Sequence, residues 1–270
     1  MLLERIGIFM HNSSEKDCVV IALANQKGGV GKTTSAINLA ASIGVTGKRV
    51  LLIDLDPQGN ATSGVGSSKK NASSVYDALT GTVEPAKAIQ KTKYGLSVLP
   101  SCIALAGAEL ELLEIPDREY KLREVIDKVK SDYDYIFIDC PPSLGLLTIN
   151  ALSAADYVIV AMQCEYFALE GLTQLTETIG KVKRLYNPEL AICGIVITMY
   201  DGRLNLHLDV LNEVKKHFPN LVFRKPVPRN VKVSEAPSYG MPVYFYDKYS
   251  KGSLVYREIA KELLERCENK

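Results

Sequence analysis

The chain has 270 residues, of which 47% are hydrophobic and 23% are charged, and its formal net charge is +1 at pH 7. This is ordinary globular composition, and it excludes a bulk electrostatic attraction to nucleic acid or membranes, so that any basic binding face must be local. The sequence has no run of about 18 apolar residues, so it predicts no transmembrane helix. Six cysteines without C-x-x-C spacing favour reduced thiols in a cytoplasmic protein.

Short apolar runs alternate with helix-compatible stretches along most of the chain. Several runs are continuous in Val, Ile and Leu, which is typical of strands covered on both faces. The predicted strands are Val19–Ala24, Val50–Leu55, Leu96–Leu99, Tyr135–Asp139, Tyr157–Met162, Ala191–Thr198 and Phe223–Val227. The predicted helices are Thr34–Ile43, Ala106–Leu113, Asp117–Lys130, Leu146–Ala154, Leu169–Leu185, Leu206–His217 and Ser253–Arg266. We therefore expect an N-terminal extension over 1–17 and one α/β domain over 18–270, with a doubly wound, mostly parallel sheet flanked by helices on both faces.

The first predicted strand runs into a glycine-rich loop, NQKGGVGKTT, at residues 25–34. Glycines allow successive main-chain amides to converge on phosphate oxygens, and the following helix adds its positive N-terminal end. Lys32 would reach the β and γ phosphates, and the Thr33 hydroxyl would bind Mg²⁺. The alternative without a binding function is a glycine-rich turn with a solvated lysine. The residues that we assign to ATP binding are Gln26, Lys27, Gly28, Gly29, Val30, Gly31, Lys32, Thr33 and Thr34.

Three acidic residues follow two other predicted strands. Asp54 and Asp56 end one strand, and Asp139 ends another. Because the carboxyl ends of parallel strands point at the ligand crevice, these carboxylates are candidates for holding Mg²⁺ or orienting water. For Asp54 and Asp56 the alternative is a capped turn, since Asp-Pro and Gln-Gly are good turn formers. We assign Asp54 and Asp139 to the metal.

Five separated motifs resemble those of partitioning ATPases of the ParA/Soj type, within the MinD/ParA group of P-loop proteins. They are K-G-G-x-G-K-T-T at 27–34, D-x-D-P-Q-G-N at 54–60, D-x-P-P-S at 139–143, Q-x-E-Y-x-A-L-E-G at 163–171, and Pro228, Arg229 and Asn230. The resemblance covers about residues 18–265 and implies an ATP-sandwich dimer. In that dimer Lys27 reaches the partner's phosphates, Asp56 positions the attacking water, and Pro228–Asn230 contacts adenine.

The same resemblance implies a slow Mg²⁺-dependent ATPase that a ParB/Spo0J-type partner stimulates. Its ATP dimer is expected to bind DNA without sequence preference, which would associate the protein with the nucleoid. The candidate DNA-binding residues are Arg203, Lys232 and Lys251. The alternative for these three residues is a solvated charged rim.

Three other functions share parts of this pattern. A MinD-like membrane ATPase needs a basic amphipathic C-terminal helix, but glutamates nearly balance the basic residues after Ser253, so no stable membrane binding is expected. A nitrogenase-iron-protein relative needs paired cluster cysteines, and Cys102 and Cys140 do not fit that requirement well. A pure binding module without hydrolysis remains the third alternative.

Overall fold

A seven-stranded sheet forms the centre of the protein, in the order β3-β4-β2-β5-β1-β6-β7. The computed structural model describes residues 18–68 and 73–268, so the expected extension over 1–17 lies outside the described residues. Neighbouring strands are parallel, except that β3 pairs with β4 in the antiparallel sense. The strands are β1 Val19–Ala24, β2 Val50–Asp54, β3 Gln90–Lys91, β4 Ser97–Leu99, β5 Tyr135–Asp139, β6 Tyr157–Gln163 and β7 Ala191–Thr198.

Helices cover both faces of this sheet. The α-helices are α1 Lys32–Gly44, α2 Asn60–Gly64, α3 Val75–Leu79, α4 Pro85–Ala88, α5 Leu105–Leu112, α6 Lys121–Asp127, α7 Leu146–Ala154, α8 Ala168–Leu185, α9 Asn205–His217, α10 Val231–Glu235, α11 Val243–Tyr246 and α12 Lys251–Glu268. Short 3-10 turns lie at Arg118–Tyr120, Lys130–Asp132 and Ala236–Tyr239. The predicted doubly wound α/β architecture is confirmed.

The interior strand β1 contributes side chains to both hydrophobic cores. Side chains alternate between the two faces of a strand, so Val20 and Ala22 belong to the core that α7 and α8 cover. Ile21 and Leu23 belong to the opposite core, which α1 and α12 cover. A strand buried on both faces needs apolar residues at every position, and this explains the continuous run that the sequence shows.

Two sequence predictions of secondary structure are wrong. Phe223–Val227 is not a strand but follows the edge of β7 through isolated bridges, because Pro226 and Pro228 lack the N–H groups that a ladder requires. The seventh strand is instead the two-residue β3, which is too short and polar to show a pattern. The predicted helix Asp117–Lys130 is shortened to Lys121–Asp127, because Asp117 has a left-handed φ of 54° and a 3-10 turn occupies Arg118–Tyr120.

Candidate functional site

The predicted motifs lie together at the end of the sheet where the parallel strands have their carboxyl ends. In the pairing of β2 with β5, Asp54 lies opposite Asp139, and in the pairing of β1 with β5, Leu23 lies opposite Asp139. On the other side of β1, Gln163 at the end of β6 lies opposite Thr198 at the end of β7. The glycine-rich loop, residues 25–31, leaves β1 between these two pairs.

The loop turns sharply into α1 without any side-chain cap. Gly29 and Gly31 have φ values of 74° and 87°, which L-residues rarely adopt. Gly31 occupies the N-cap position of α1, and no acidic residue lies in the first turn of this helix. The first N–H groups of a helix have no partner within the helix itself, so this terminus is suited to an anion.

Polar side chains at the ends of β1, β6 and β7 hold the loop in place. Gln163 Nε2 donates to Gly29 O at 2.9 Å, and Thr198 Oγ1 donates to Val30 O at 2.7 Å. Asn25 Nδ2 donates to a main-chain carbonyl of β6 at 2.7 Å. The sequence did not reveal these supporting roles, although polar residues at the ends of buried strands were a visible signal. The loop is therefore fixed by neighbours far away in the chain.

The two lysines of the loop have different surroundings. Lys32 is buried, and its Nζ donates to Lys27 O at 3.1 Å. Burial lowers the pKa of Lys32, while the nearby Asp139 carboxylate opposes that shift. Lys27 Nζ instead pairs with Glu165 Oε2 at 2.8 Å, and the two side chains are 47% and 51% exposed. Lys27 is thus accessible at the rim of the crevice, and its ion pair is of the weak, solvated kind.

Asp139 is a buried carboxylate that needs a cation. Within the part of the chain that the structure describes, neither of its side-chain oxygens has a hydrogen-bond partner of normal geometry. Burial raises the pKa of Asp139 well above its usual range, and the negative charge of Asp54 raises it further. The Thr33 hydroxyl and Lys32 lie close enough to oppose this shift. Carboxylate and hydroxyl oxygens are hard ligands that suit Mg²⁺, so the donor set fits the predicted metal.

Asp54 has hydrogen-bond donors of its own. Its Oδ2 accepts from Thr62 N at 2.7 Å and from Thr62 Oγ1 at 2.6 Å, and its Oδ1 accepts from Asp56 N at 3.3 Å. Burial raises the pKa of Asp54 to about 6, although these bonds oppose the shift. Asp54 therefore anchors the segment from Asp56 to Thr62 onto β2. Its direct binding to the metal stays a prediction.

Asp56 is more open than the other two carboxylates. It is half-buried, and its Oδ1 accepts a hydrogen bond from Gln58 N at 2.9 Å. This bond forms the turn that the capped-turn interpretation expected. The carboxylate keeps access to solvent, which a residue that orients water requires.

The segment Pro228–Asn230 lies beside the exit of β7. Arg229 N donates to Tyr200 O at 3.1 Å, and Tyr200 N donates to Val227 O at 2.9 Å. Asn230 caps α10 by accepting from Val233 N at 3.3 Å. These bonds fix the position of the segment relative to β7. The predicted contact with adenine stays a prediction.

The three candidate DNA-binding residues are exposed, but two of them form ion pairs within the chain. Arg203 contacts both carboxylate oxygens of Asp201, at 2.9 and 2.6 Å. Lys232 Nζ lies 3.0 Å from Glu235 Oε2. Lys251 is the first residue of α12. The positive charges of Arg203 and Lys232 are therefore partly neutralised in the free protein.

The apolar stripe of α12 is part of the core. Tyr256, Ile259 and Leu263 are buried against the face of the sheet that α1 also covers, and Tyr256 Oη lies 3.2 Å from Ser35 Oγ of α1. None of the helices within 18–68 and 73–268 is long and apolar enough to cross a membrane. Leu254, near the start of the same helix, is 41% exposed, so the buried apolar residues begin at Tyr256.

Comparison with known proteins agrees with this geometry. The family model described as "AAA domain" matches residues 18–192. The chain is 52% identical over 246 residues to the sporulation initiation inhibitor protein Soj of Bacillus subtilis, covering 90% of this chain and 97% of Soj. It is 49% identical over 251 residues to the chromosome partitioning protein ParA of Caulobacter vibrioides, covering 92% and 94%.

Solved structures show the same fold. A crystal structure named cobyrinic acid a,c-diamide synthase, from Mycobacterium smegmatis with a bound ATP analogue and magnesium, is 41% identical with a TM-score of 0.82, covering 93% of this chain and 96% of that one. The cell division ATPase MinD of Pyrococcus furiosus is 26% identical with a TM-score of 0.77, covering 92% and 98%.

Proposed function

Because the chain belongs to the ParA/Soj family of partitioning ATPases, we propose that it is a Mg²⁺-dependent ATPase switch that acts in chromosome or plasmid partitioning. The observation that carries this proposal is the environment of Asp139. A fully buried carboxylate without a hydrogen-bond partner in the described chain, beside a buried lysine and an uncapped helix N-terminus, is suited to a metal–nucleotide complex. Relatives named for partitioning are about half identical over nearly the whole chain. This favours partitioning over the synthase activity for which the Mycobacterium smegmatis structure is named.

The residues of one protomer bind and orient ATP. The amides of the loop and the N-terminus of α1 surround the phosphates, and Lys32 supplies a buried positive charge. Thr33 and Asp139 would hold Mg²⁺, supported by Asp54 on the neighbouring strand. When bound, Mg²⁺ neutralises charge on the β and γ phosphates. Asp56 would accept a hydrogen bond from the attacking water and so orient its oxygen toward the γ phosphate.

We assign Lys27 a role across a dimer interface. Its side chain is half exposed at the rim of the crevice and is held by one solvated ion pair, so only a small free energy opposes its release. A second protomer facing the crevice would place its own Lys27 near the phosphates of the first. A cation supplied in this way stabilises transition-state charge as an arginine finger does. ATP would thus join two protomers, and slow hydrolysis would release them.

Non-specific DNA and a ParB/Spo0J-type protein are the partners that we propose for the dimer. Phosphate contacts need only exposed Lys or Arg on one face, and dimerisation would place two copies of Arg203, Lys232 and Lys251 on one assembly. DNA phosphates would replace the carboxylates that now pair with these cations. The binding constant should then fall with salt, and each phosphate contact should contribute about 0.9 to the slope of its logarithm against the logarithm of the salt concentration. We also propose that the partner protein stimulates hydrolysis and that DNA binding associates the protein with the nucleoid.

The test is size-exclusion chromatography of the wild type, Asp56→Ala and Lys27→Ala with ATP or ADP, with and without a random-sequence duplex. We expect Asp56→Ala to remain an ATP-dependent dimer that binds the duplex and turns over little ATP. Lys27→Ala should bind ATP as a monomer. Lys216→Ala is the control, because Lys216 forms an exposed ion pair on α9, outside the crevice. Normal turnover by Asp56→Ala would contradict its assigned role, and an ATP dimer of Lys27→Ala would contradict the composite site.

A MinD-like membrane ATPase is the second candidate function. The fold supports it equally, as the Pyrococcus furiosus comparison shows. The burial of Ile259 and Leu263 in α12 disfavours it, since these residues are unavailable to lipid. Sedimentation of the Asp56→Ala ATP dimer with anionic liposomes decides between the two. Cosedimentation without DNA binding would replace the partitioning proposal with the membrane one.

A further inference from the structure

Aromatic rings and lysines alternate on a surface formed by α10, α11 and the start of α12. The rings of Tyr239 and Tyr246 stack with their centroids 5.1 Å apart and an interplanar angle of 26°. Lys232 Nζ lies 5.4 Å from the Tyr246 ring centroid, and Lys248 Nζ lies 4.9 Å from that of Tyr249. We call this the tyrosine surface, formed by residues 232, 239, 244–249, 251 and 257.

Further ring contacts connect the tyrosine surface to Tyr94, which is buried. Phe245 contacts Tyr94, with centroids 4.9 Å apart, and Tyr244, with centroids 5.1 Å apart. Arg257 Cζ lies 5.6 Å from the Tyr244 centroid, and Lys93 Nζ lies 5.5 Å from the Tyr94 centroid. The rings of Tyr244, Phe245 and Tyr94 are therefore in contact, and a cation lies over Tyr244 and another over Tyr94.

The tyrosine surface is locally positive although the chain is nearly neutral. Residues 228–261 contain six Lys or Arg against three acids, whereas the whole chain has 32 against 31. Two of those acids are engaged: Glu235 pairs with Lys232 at 3.0 Å, and Asp247 Oδ1 accepts two main-chain N–H groups at 3.1 and 3.0 Å. The further exposed cations of this surface are Lys248, Lys251 and Arg257.

Two of the tyrosines present ring area to solvent. Tyr239 is 62% exposed even though Tyr246 covers one of its faces, so its other face is open, and Tyr249 is 76% exposed. A duplex keeps the faces of its bases stacked inside and offers only phosphates and groove edges, whereas a single strand offers base faces that stack on aromatic rings. Open rings interleaved with cations therefore match the chemistry of a single strand better than that of a duplex.

We propose that the tyrosine surface binds single-stranded nucleic acid, with bases stacked on Tyr239 and Tyr249 and with the lysines contacting phosphates. This activity goes beyond the proposed function, which requires only the backbone of a duplex. It shares Lys232 and Lys251 with the proposed duplex contacts, but it adds base stacking and does not depend on the ATP site. Stacking of one base is expected to strengthen binding by about 5- to 150-fold. Because every base has a π-face, the binding should tolerate any sequence.

The experiment compares three fluorescein-labelled DNAs by anisotropy with the ADP-bound wild type: a 20-nucleotide oligo-dT, an abasic 20-mer of equal charge, and a 20-base-pair duplex. We expect oligo-dT to bind at least about 5-fold more tightly than the abasic strand. Equal affinities for these two strands, or no binding of oligo-dT, would overturn the proposal. Duplex binding that appears only with ATP belongs to the proposed function, so the two ideas fail independently.

Variants then locate the stacking. Tyr239→Leu should lower the affinity for oligo-dT toward that of the abasic strand, while Tyr239→Phe should retain it because the ring remains. Tyr166→Leu is the matched control, because Tyr166 is 77% exposed but lies between β6 and α8, outside the tyrosine surface. Circular dichroism verifies that each variant is folded. An unchanged affinity of folded Tyr239→Leu and of Tyr249→Leu would refute the assignment, whatever the wild type binds.

Discussion

Replacement of Asp139 by asparagine should stabilise the nucleotide-free protein and weaken its response to Mg²⁺–ATP. The carboxylate is fully buried, and within the described chain neither oxygen has a hydrogen-bond partner of normal geometry, although the Thr33 hydroxyl is near. Leaving a buried polar group unpaired costs about 1–3 kcal/mol, and more when the group is charged. Asparagine also leaves a buried polar group, but it removes the charge at nearly constant volume. Where the carboxylate is ionised, we therefore expect a gain of about 1–3 kcal/mol in the free energy of unfolding. In a protein of this size that gain corresponds to a Tm increase of about 2–5 °C.

The pH dependence of this effect has a definite sign. Burial raises the pKa of Asp139 and raises that of Asp54 to about 6, so the folded protein binds protons more tightly than the unfolded chain does. The resulting stabilisation is complete below the unfolded pKa of about 4 and is lost as the pH rises through the higher folded values. Asp139→Asn should lose less stability over that range than the wild type, and its advantage should be greatest at neutral and alkaline pH.

Thermal denaturation followed by circular dichroism, with and without Mg²⁺ and a non-hydrolysable ATP analogue, measures both effects. A ligand at 100 times its Kd stabilises the wild type by about 2.7 kcal/mol, and the variant should gain less because the metal loses a carboxylate. Asp134→Asn is the control at the other end of β5. Its carboxylate pairs with Arg49 at 2.8 Å, which lowers the pKa of Asp134, so this variant should lose up to about 1 kcal/mol. A lower Tm for nucleotide-free Asp139→Asn at pH 8 would refute the reasoning.

Three other substitutions test how the loop is held. Glu165→Gln frees Lys27 from its ion pair, and a dimer contains two such pairs. ATP-dependent dimers of this variant should therefore form at about 2- to 30-fold lower protein concentration in sedimentation experiments. Glu213→Gln on α9 should leave dimerisation unchanged. Thr198→Val removes the hydroxyl that donates to Val30 O of the loop and should lower the free energy of unfolding in urea by about 1–3 kcal/mol. Gly31→Ala, at a φ of 87°, should cost about 1–2 kcal/mol and sharply weaken ATP binding measured by calorimetry. Unchanged dimerisation, stability or affinity, respectively, would contradict these three expectations.

Much of the fold could be predicted because its strands are buried on both faces. A run such as Tyr135–Asp139 must be apolar throughout, and its bounds were predicted without error. The edge strand Gln90–Lys91 escaped prediction because two polar residues carry no periodicity. Phe223–Val227 has the composition of a strand, but its prolines decide against a ladder. The hydrophobic pattern thus predicted the strands whose residues are determined by burial. It failed for the segments whose structure is determined by main-chain hydrogen bonding.

The site shows the same division. The glycines and Lys32 were predictable because phosphate binding restricts the residues that can stand there. The support that Gln163 and Thr198 give the loop was not, since their bonds join residues more than 130 positions apart. Nor could the sequence show that Glu165 would hold Lys27, because no local rule links the ends of β1 and β6. These side-chain contacts depend on which strands are neighbours in the sheet.

That strand order has a consequence for the dynamics of the site. The loop leaves the interior strand β1, and side chains from β6 and β7 bond directly to its carbonyls. Because β7 is an edge strand, local fraying there would break the bond from Thr198 and leave the bond from Gln163 on the interior strand β6. Amide hydrogens at the end of β7 should therefore exchange with solvent faster than those at the end of β6. The loop can thus lose half of its support through a local opening, and full release requires separation of β6 from β1.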